Sequence, residues 1–182
     1  MGGVWERLVG VFKRVFSGLL KDRRLTDEIL QTLFCEVESI MNSRPMTKAS
    51  DDVDDLSVLS PNHLLIMNDG VALPLGVFSR GDMYRRRWRY VQYLCDQFWQ
   101  HWLKAYLPEL QKRNKWLDNK RNVKKGDLVL LVDENTPRNL WPLGIVLEVT
   151  EGRDGLVRSV RIRTQSTVLT RPVTKIVMLE HC

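Results

Sequence analysis

Over the first forty-odd residues, apolar positions recur every three or four residues. In Val4–Leu20 the residues Val4, Trp5, Leu8, Val9, Phe12, Val15, Phe16 and Leu19 line one side, which predicts an amphipathic helix. A second helix is expected after Thr26, a capping residue type followed by Asp27 and Glu28, whose charge suits the positive end of a helix dipole. Its buried stripe is predicted as Ile29, Leu33, Val37, Ile40 and Met41. It should stop before Pro45, because the residue preceding a proline is driven out of the helical region. Residues 47–83 lose this periodicity. From Met83 to Tyr106 it returns, with Trp88, Val91, Cys95, Phe98 and Trp102 on one face and Pro108 as the expected end or kink. After Lys125 the pattern changes to short runs of Val, Ile and Leu. Strands are predicted over Asp127–Val132, Gly144–Val149, Val157–Arg163 and Val173–Leu179, with Asp154-Gly155 as a two-residue hairpin turn. Val160-Arg161-Ile162-Arg163 alternates cleanly, and Arg158 with Ser159 interrupts that alternation as a bulge would. Four or five short strands in this stretch point to a small barrel.

Composition adds little until charge is placed along the chain. The 182 residues are 43% hydrophobic and 27% charged, values of a globular chain and not a disordered one. No apolar run reaches the roughly 18–20 residues of a membrane span, so no membrane association is expected. Glu6, Arg7, Lys13 and Arg14 interrupt the apolar start, and no small-residue cleavage site follows, which argues against a secretory signal. Cys35, Cys95 and Cys182 are scattered and odd in number, fitting a reducing compartment; an intracellular location, nuclear or cytoplasmic, is expected. The net charge of +6 is uneven: residues 1–80 carry −2, residues 81–125 carry +8, and residues 126–182 balance. Arg85, Arg86, Arg87 and Arg89 crowd the start of the third helix, where positive charge opposes the dipole and an anion would compensate. Such a segment is either a solvated helix face or a polyanion-binding one.

Few residues carry recognisable chemistry. Glu6, Gly10 and Lys13 form a narrow polar stripe on the first helix, readable as a solvated seam or as a metal ligand beside a phosphate-binding lysine. Two-metal phosphoryl transfer needs several converging carboxylates, so Glu6 alone does not suffice. The acids Asp51, Asp52, Asp54 and Asp55 fail the calcium-loop template, with Leu56 at the glycine position and Asn62 at the bidentate glutamate position. His63, His101 and His181 lack zinc-ligand spacing. No phosphate-binding glycine loop or nucleophile elbow occurs. Cys35 and Cys95 are expected in the core, and Trp99 and Trp102 are read as packing residues ahead of base-stacking ones.

Several short motifs are recognisable together. Gly2-Gly3-Val4-Trp5-Glu6-Arg7-Leu8-Val9 resembles the stretch around the last catalytic acid in integrases of Bel–Pao long-terminal-repeat retrotransposons. Asn42-Ser43-Arg44-Pro45-Met46-Thr47 and Leu59-Ser60-Pro61-Asn62-His63-Leu64-Leu65 resemble the motifs that close that core. Tyr84-Arg85-Arg86-Arg87-Trp88-Arg89-Tyr90-Val91 with Phe98-Trp99 resembles the helix that follows it. Gly126-Asp127-Leu128-Val129, Trp141-Pro142-Leu143-Gly144 and Thr170-Arg171-Pro172-Val173 resemble the terminal β region. The match spans nearly the whole chain in order.

The resemblance implies an α+β chain of three parts. These are helices ending a ribonuclease-H-like core (1–67), a connector with the long basic helix (68–122), and a small Src-homology-like β-barrel (123–182). It implies DNA as partner, with other integrase subunits or chromatin as further candidates. It places Glu6 as the third catalytic acid and Lys13 near viral DNA ends. Candidate DNA contacts are Lys13, Arg44, Arg85, Arg86, Arg87, Arg89, Lys124, Lys125, Arg161 and Arg163. Magnesium or manganese is implied for the full-length parent and none for this chain alone. The chain opens five residues ahead of Glu6, without the two aspartates and the zinc-binding domain that precede it in such enzymes. It therefore reads as a truncated form, and no strand transfer is expected from it in isolation. Two other readings stay open: a barrel that docks proteins or chromatin, and an inactive relic whose Trp5, Phe12 and Phe16 lie exposed unless they repack.

Overall fold

A computed structural model describes residues 3–21, 23–50, 52, 55–67, 76–84, 87–111, 121–133 and 136–179. The chain is α+β: helices first, then an antiparallel sheet. Helix α1 spans Gly3–Leu20 and α2 spans Asp27–Asn42. Thr26 is the N-cap of α2 through its backbone, accepting from Leu30 N–H at 3.0 Å, with no side-chain capping bond. A two-stranded ribbon, β1 (Thr47–Lys48) with β2 (Val58–Leu59), leads to the short helix α3 (Pro61–Ile66). Here Ser60-Pro61-Asn62-His63 has a local cause. Ser60 N–H donates to His63 Nδ1 at 3.1 Å, proline occupies the first turn where its missing N–H costs nothing, and Met67 ends the helix in the left-handed region.

The third long helix differs from expectation at both ends. A 3-10 turn covers Arg80–Tyr84, and α4 spans Arg87–Gln111 with Pro108 inside it, so the proline does not end the helix. Pro108 lies within the last four residues of α4 and is exposed. Helix α4 is the most buried helix. Val91, Leu94, Cys95, Phe98, Trp99, Trp102 and Leu103 are all buried. From one side Phe12 and Phe16 of α1 approach Phe98, with ring centroids 6.3 and 6.4 Å apart. Leu33, Val37 and Ile40 of α2 join the same core, with Ile29 and Met41 at its margin. Phe12 and Phe16 have thus repacked on α4; the side chain of Trp5 lies outside the described residues. Burial raises the Cys95 thiol pKa to about 12. Cys35, expected in the core, is exposed: two residues from both Leu33 and Val37, it points about 200° away from their stripe. Alkylation under native conditions should therefore label Cys35 and spare Cys95, as peptide mapping by mass spectrometry can read; a rapidly labelled Cys95 would contradict this packing.

The sheet contains β3 (Leu128–Leu131), β4 (Leu143–Glu151), β5 (Val157–Arg163), β6 (Val168–Pro172) and β7 (Ile176–Met178), ordered β6-β5-β4-β3-β7 and antiparallel throughout. The single strand expected over Val173–Leu179 resolves into a 3-10 turn, Val173–Lys175, followed by β7. The strand β6 was missing from the sequence-based expectation. The β4–β5 turn is longer than two residues: Gly152 N–H donates to Leu156 O at 2.8 Å, enclosing Arg153-Asp154-Gly155 with Gly155 left-handed. Arg158 is the extra residue of the expected bulge, and Leu147 makes a second one in β4.

All four residues of β3 are buried because both of its faces are covered. Val129 and Leu131 face Val146, Val160, Ile162 and Ile176 inside the curled sheet. Leu130 and Val177 pack on the α4 core, while Leu128, Ile145 and Leu179 meet Leu56 and Val58.

Candidate nucleic-acid interface

The loop between β3 and β4 latches the sheet to the helices. Trp99 Nε1 donates to Thr136 O at 2.8 Å, and Trp141 packs edge-on against Trp99 (5.0 Å) and Tyr106 (6.2 Å). Trp141 Nε1 reaches Ser43 Oγ at 3.3 Å, joining two motifs nearly a hundred residues apart in sequence. Arg138 is buried in the same junction. Its guanidinium donates to Gln92 Oε1 at 2.6 Å and lies 3.4 Å from Asp96, while Gln92 donates to Glu36 of α2 at 3.0 Å. Burial pushes the Asp96 carboxyl up, and the Arg138 charge pulls it back. Sequence reasoning missed Arg138; its role depends on Gln92, a neutral residue on a remote helix. A cavity of about 470 Å³ lies beside this junction, lined by Asp96, Trp99, Lys104, Arg138 and neighbours.

Glu6, Gly10 and Lys13 are all exposed on α1. Among the described residues no three His, Cys, Asp or Glu side chains converge. Arg44 is half-buried; its guanidinium donates to Met41 O at 2.9 Å, and it borders an apolar cleft of about 270 Å³ between α1 and α2.

The arginines at the start of α4 do meet anions, but these are the chain's own. Arg87 pairs with Glu28 of α2 at 2.6 Å, both ends well exposed. Arg89 donates to Asp82 at 2.8 Å and to Val77 O at 2.7 Å, and lies 5.3 Å from the centre of the Phe78 ring. The hydrogen bond from Arg89 holds the Asp82 carboxyl below its ordinary range. Trp88 between them is half-exposed, edge-on to Phe78. Arg85 and Arg86 lie outside the described residues.

A second group of cations gathers on the sheet. The strap 121–127 runs along β4, anchored at one end by Asn122 Nδ2 to Gly155 O (2.9 Å) and at the other by Gly126 N–H to Val146 O (2.8 Å). Gly126 is left-handed, with φ of 90°, which sets the sharp bend into β3. Asp127, buried, takes two bonds from Arg121 (2.8 and 3.0 Å) and one from Lys124 N–H (2.9 Å), fixing the strap from within. Lys124 and Lys125 of the strap and Arg153 of the adjoining turn are exposed, and among the described residues no carboxylate lies within ion-pair distance of them. Arg158 pairs with Asp154. On the outward face of β5, Arg161 stands 3.4 Å from Glu148, and Arg163 is half-buried. Trp99 and Trp102, buried in the helical core, are packing residues and offer no stacking surface.

Among the described residues no helix is long and apolar enough to cross a membrane. No curated protein and no solved structure matches the chain. Residues 86–179 match a family of unknown function, DUF5641; the matched stretch starts one residue before α4, ends just past β7, and covers just over half of the chain. One helix and five strands locked by the Trp99–Trp141 junction are thus the part that is shared, and by that match the chain belongs to the DUF5641 family.

Proposed function

We propose that this chain is the closing part of a Bel–Pao type integrase and acts there as a DNA-holding unit, gripping duplex through its phosphates without reading sequence. The ordered series of motifs from Trp5-Glu6 to Arg171-Pro172 supports the family reading. The strand order, with a 3-10 turn ahead of the last strand, supports the Src-homology-like assignment of the sheet. The observation that carries DNA holding is the group Lys124, Lys125 and Arg153: exposed cations on a strap and turn that hydrogen bonds of the Asn122 and Asp127 side chains hold in place. Preplaced cations replace condensed counterions on the phosphate backbone, and that release favours binding most at low salt. The pairing of Arg87 and Arg89 with Glu28 and Asp82 moves the weight of the proposal from the helix start to the strap. Strand transfer itself belongs, on this reading, to a complete core with three metal-holding acids.

With about six phosphates neutralised, log K should fall with log salt at a slope near −5, an affinity loss of about 10³ between 50 and 200 mM. Replacing Lys124, Lys125 and Arg153 together by alanine should make that slope shallower by about 3, since each lost phosphate contact removes about 0.9. Replacing Arg87 and Arg89 should leave the slope nearly unchanged. Fluorescence anisotropy with a labelled duplex at several salt concentrations reads both. A salt-insensitive affinity, or an unchanged slope in the triple variant, would sink the proposal.

A further inference from the structure

The pairing of β5 with β6 leaves one side of β6 open, and the hydrogen-bond alternation says which groups it offers. Thr164 N–H donates to Thr167 O at 2.8 Å across the turn, so those two residues are a bonded pair. Stepping by two, Ile162 with Leu169 and Val160 with Arg171 are bonded pairs as well. Val168, Thr170 and Pro172 then occupy non-bonded positions opposite Arg163, Arg161 and Ser159. Their backbone groups point away from β5: N–H and C=O at Val168 and Thr170, and C=O alone at Pro172, which has no N–H to lose. Among the described residues no strand pairs with this side. The register of β5 with β6 shows no bulge, and the turn is braced by Thr164 Oγ1 donating to Thr167 O (2.8 Å) and Thr167 N–H donating to Thr164 Oγ1 (3.1 Å). The edge is therefore regular and held in place, without the bulge by which many sheets protect theirs.

Its charge has one sign. Neither β6 nor the turn before it contains an acid, whereas Arg171 is exposed on β6 and Lys175 is exposed just beyond it. Val168, about half exposed, adds an apolar step. We propose that the free edge of β6 takes up an extended, acid-bearing peptide segment of a partner protein, which adds a strand to the sheet through Val168 and Thr170 and places its carboxylates beside Arg171 and Lys175. Backbone bonds supply the grip, and the cations select for acids. Duplex DNA would use the cations and leave the N–H and C=O groups unpaired. A second copy of this chain would bring two Arg171-bearing edges together. The inference stands apart from the DNA-holding proposal and uses different residues.

The test uses the full chain and a fluorescein-labelled octapeptide alternating valine and glutamate, against a matched valine–lysine peptide. The acidic peptide should bind at least about tenfold more tightly than the basic one. Amide exchange at Val168 and Thr170 should slow on saturation by about tenfold or more. Thr170→Pro removes an N–H that the sheet itself does not use, so the melting curve should hold while peptide affinity drops about tenfold or more. Equal binding of the two peptides, unchanged exchange at Val168 and Thr170, full affinity in a folded Thr170→Pro chain, or sedimentation showing two copies joined through this edge would each overturn the proposal. Displacement of the peptide by duplex DNA at equal phosphate charge would overturn it too. Should Thr170→Pro fail to fold, the exchange measurement on the unaltered chain still decides.

Discussion

Trp102→Ala should cost about 3–5 kcal/mol of stability, as expected for removing a fully buried aromatic ring. For a chain of this length that corresponds to a melting temperature lower by on the order of 10 °C. Trp102 sits near-parallel between Phe98 and Tyr106 on the buried face of α4, with ring centroids 5.9 and 5.0 Å away. Deleting the ring opens a cavity in the core shared by α1, α2 and the sheet, which rigid neighbours can only partly close. Trp102→Phe should behave differently. Among the described residues the buried indole Nε1 has no hydrogen-bond partner, so phenylalanine keeps most of the stacking and removes a donor that contributes nothing. Its cost should stay near about 1–1.5 kcal/mol. Thermal melts followed by circular dichroism compare the two. An alanine chain melting within a few degrees of the parent would mean that α4 is not packed as described.

Gly144→Val should be the most damaging single change in the sheet. A Cβ at Gly144 would lie 2.3 Å from Ile162 Cγ2 and 2.9 Å from Arg163 O, inside atomic contact with both side chain and backbone of β5. Ile162 is fully buried between strands and cannot swing aside, so β4 and β5 must separate. Overpacking of this kind costs about 1–3 kcal/mol and sometimes more, and valine adds two further methyl groups to the same clash. Gly144→Ala should lie at the lower end of that range. Chemical denaturation with tryptophan emission and far-ultraviolet circular dichroism as separate probes measures the loss. A valine variant as stable as the parent would contradict the close approach of the two strands.

How much of this was legible beforehand depended on whether a residue's environment is set locally. Helix α2 was readable because Leu33, Val37 and Ile40 keep the helical period and Pro45 stops it. Strand β3 was readable because Leu128–Leu131 is an uninterrupted apolar run, the mark of a strand covered on both faces. Strand β6 was not, because Val168–Pro172 is mostly exposed and its one inward residue, Leu169, cannot set up an alternation. The candidate site divides the same way. Clustered arginines were visible as charge, but whether Glu28 and Asp82 would answer Arg87 and Arg89 depends on how α2 and the 3-10 turn pack on α4. Arg138 gave no signal at all, since a lone arginine in a loop looks solvated until Gln92 and Asp96 are brought to it.

The two-sided burial of β3 also bears on how this sheet could be inherited. A recombination event that joined residues 123–179 to an unrelated upstream partner would carry Leu130, Val177 and Trp141 away from the helix that covers them. The newcomer would have to supply a matching apolar surface at once, or the transplanted sheet would associate or be degraded. A breakpoint ahead of α4 would keep that interface whole and cut instead the one that Phe12, Phe16, Leu33 and Val37 make with α4.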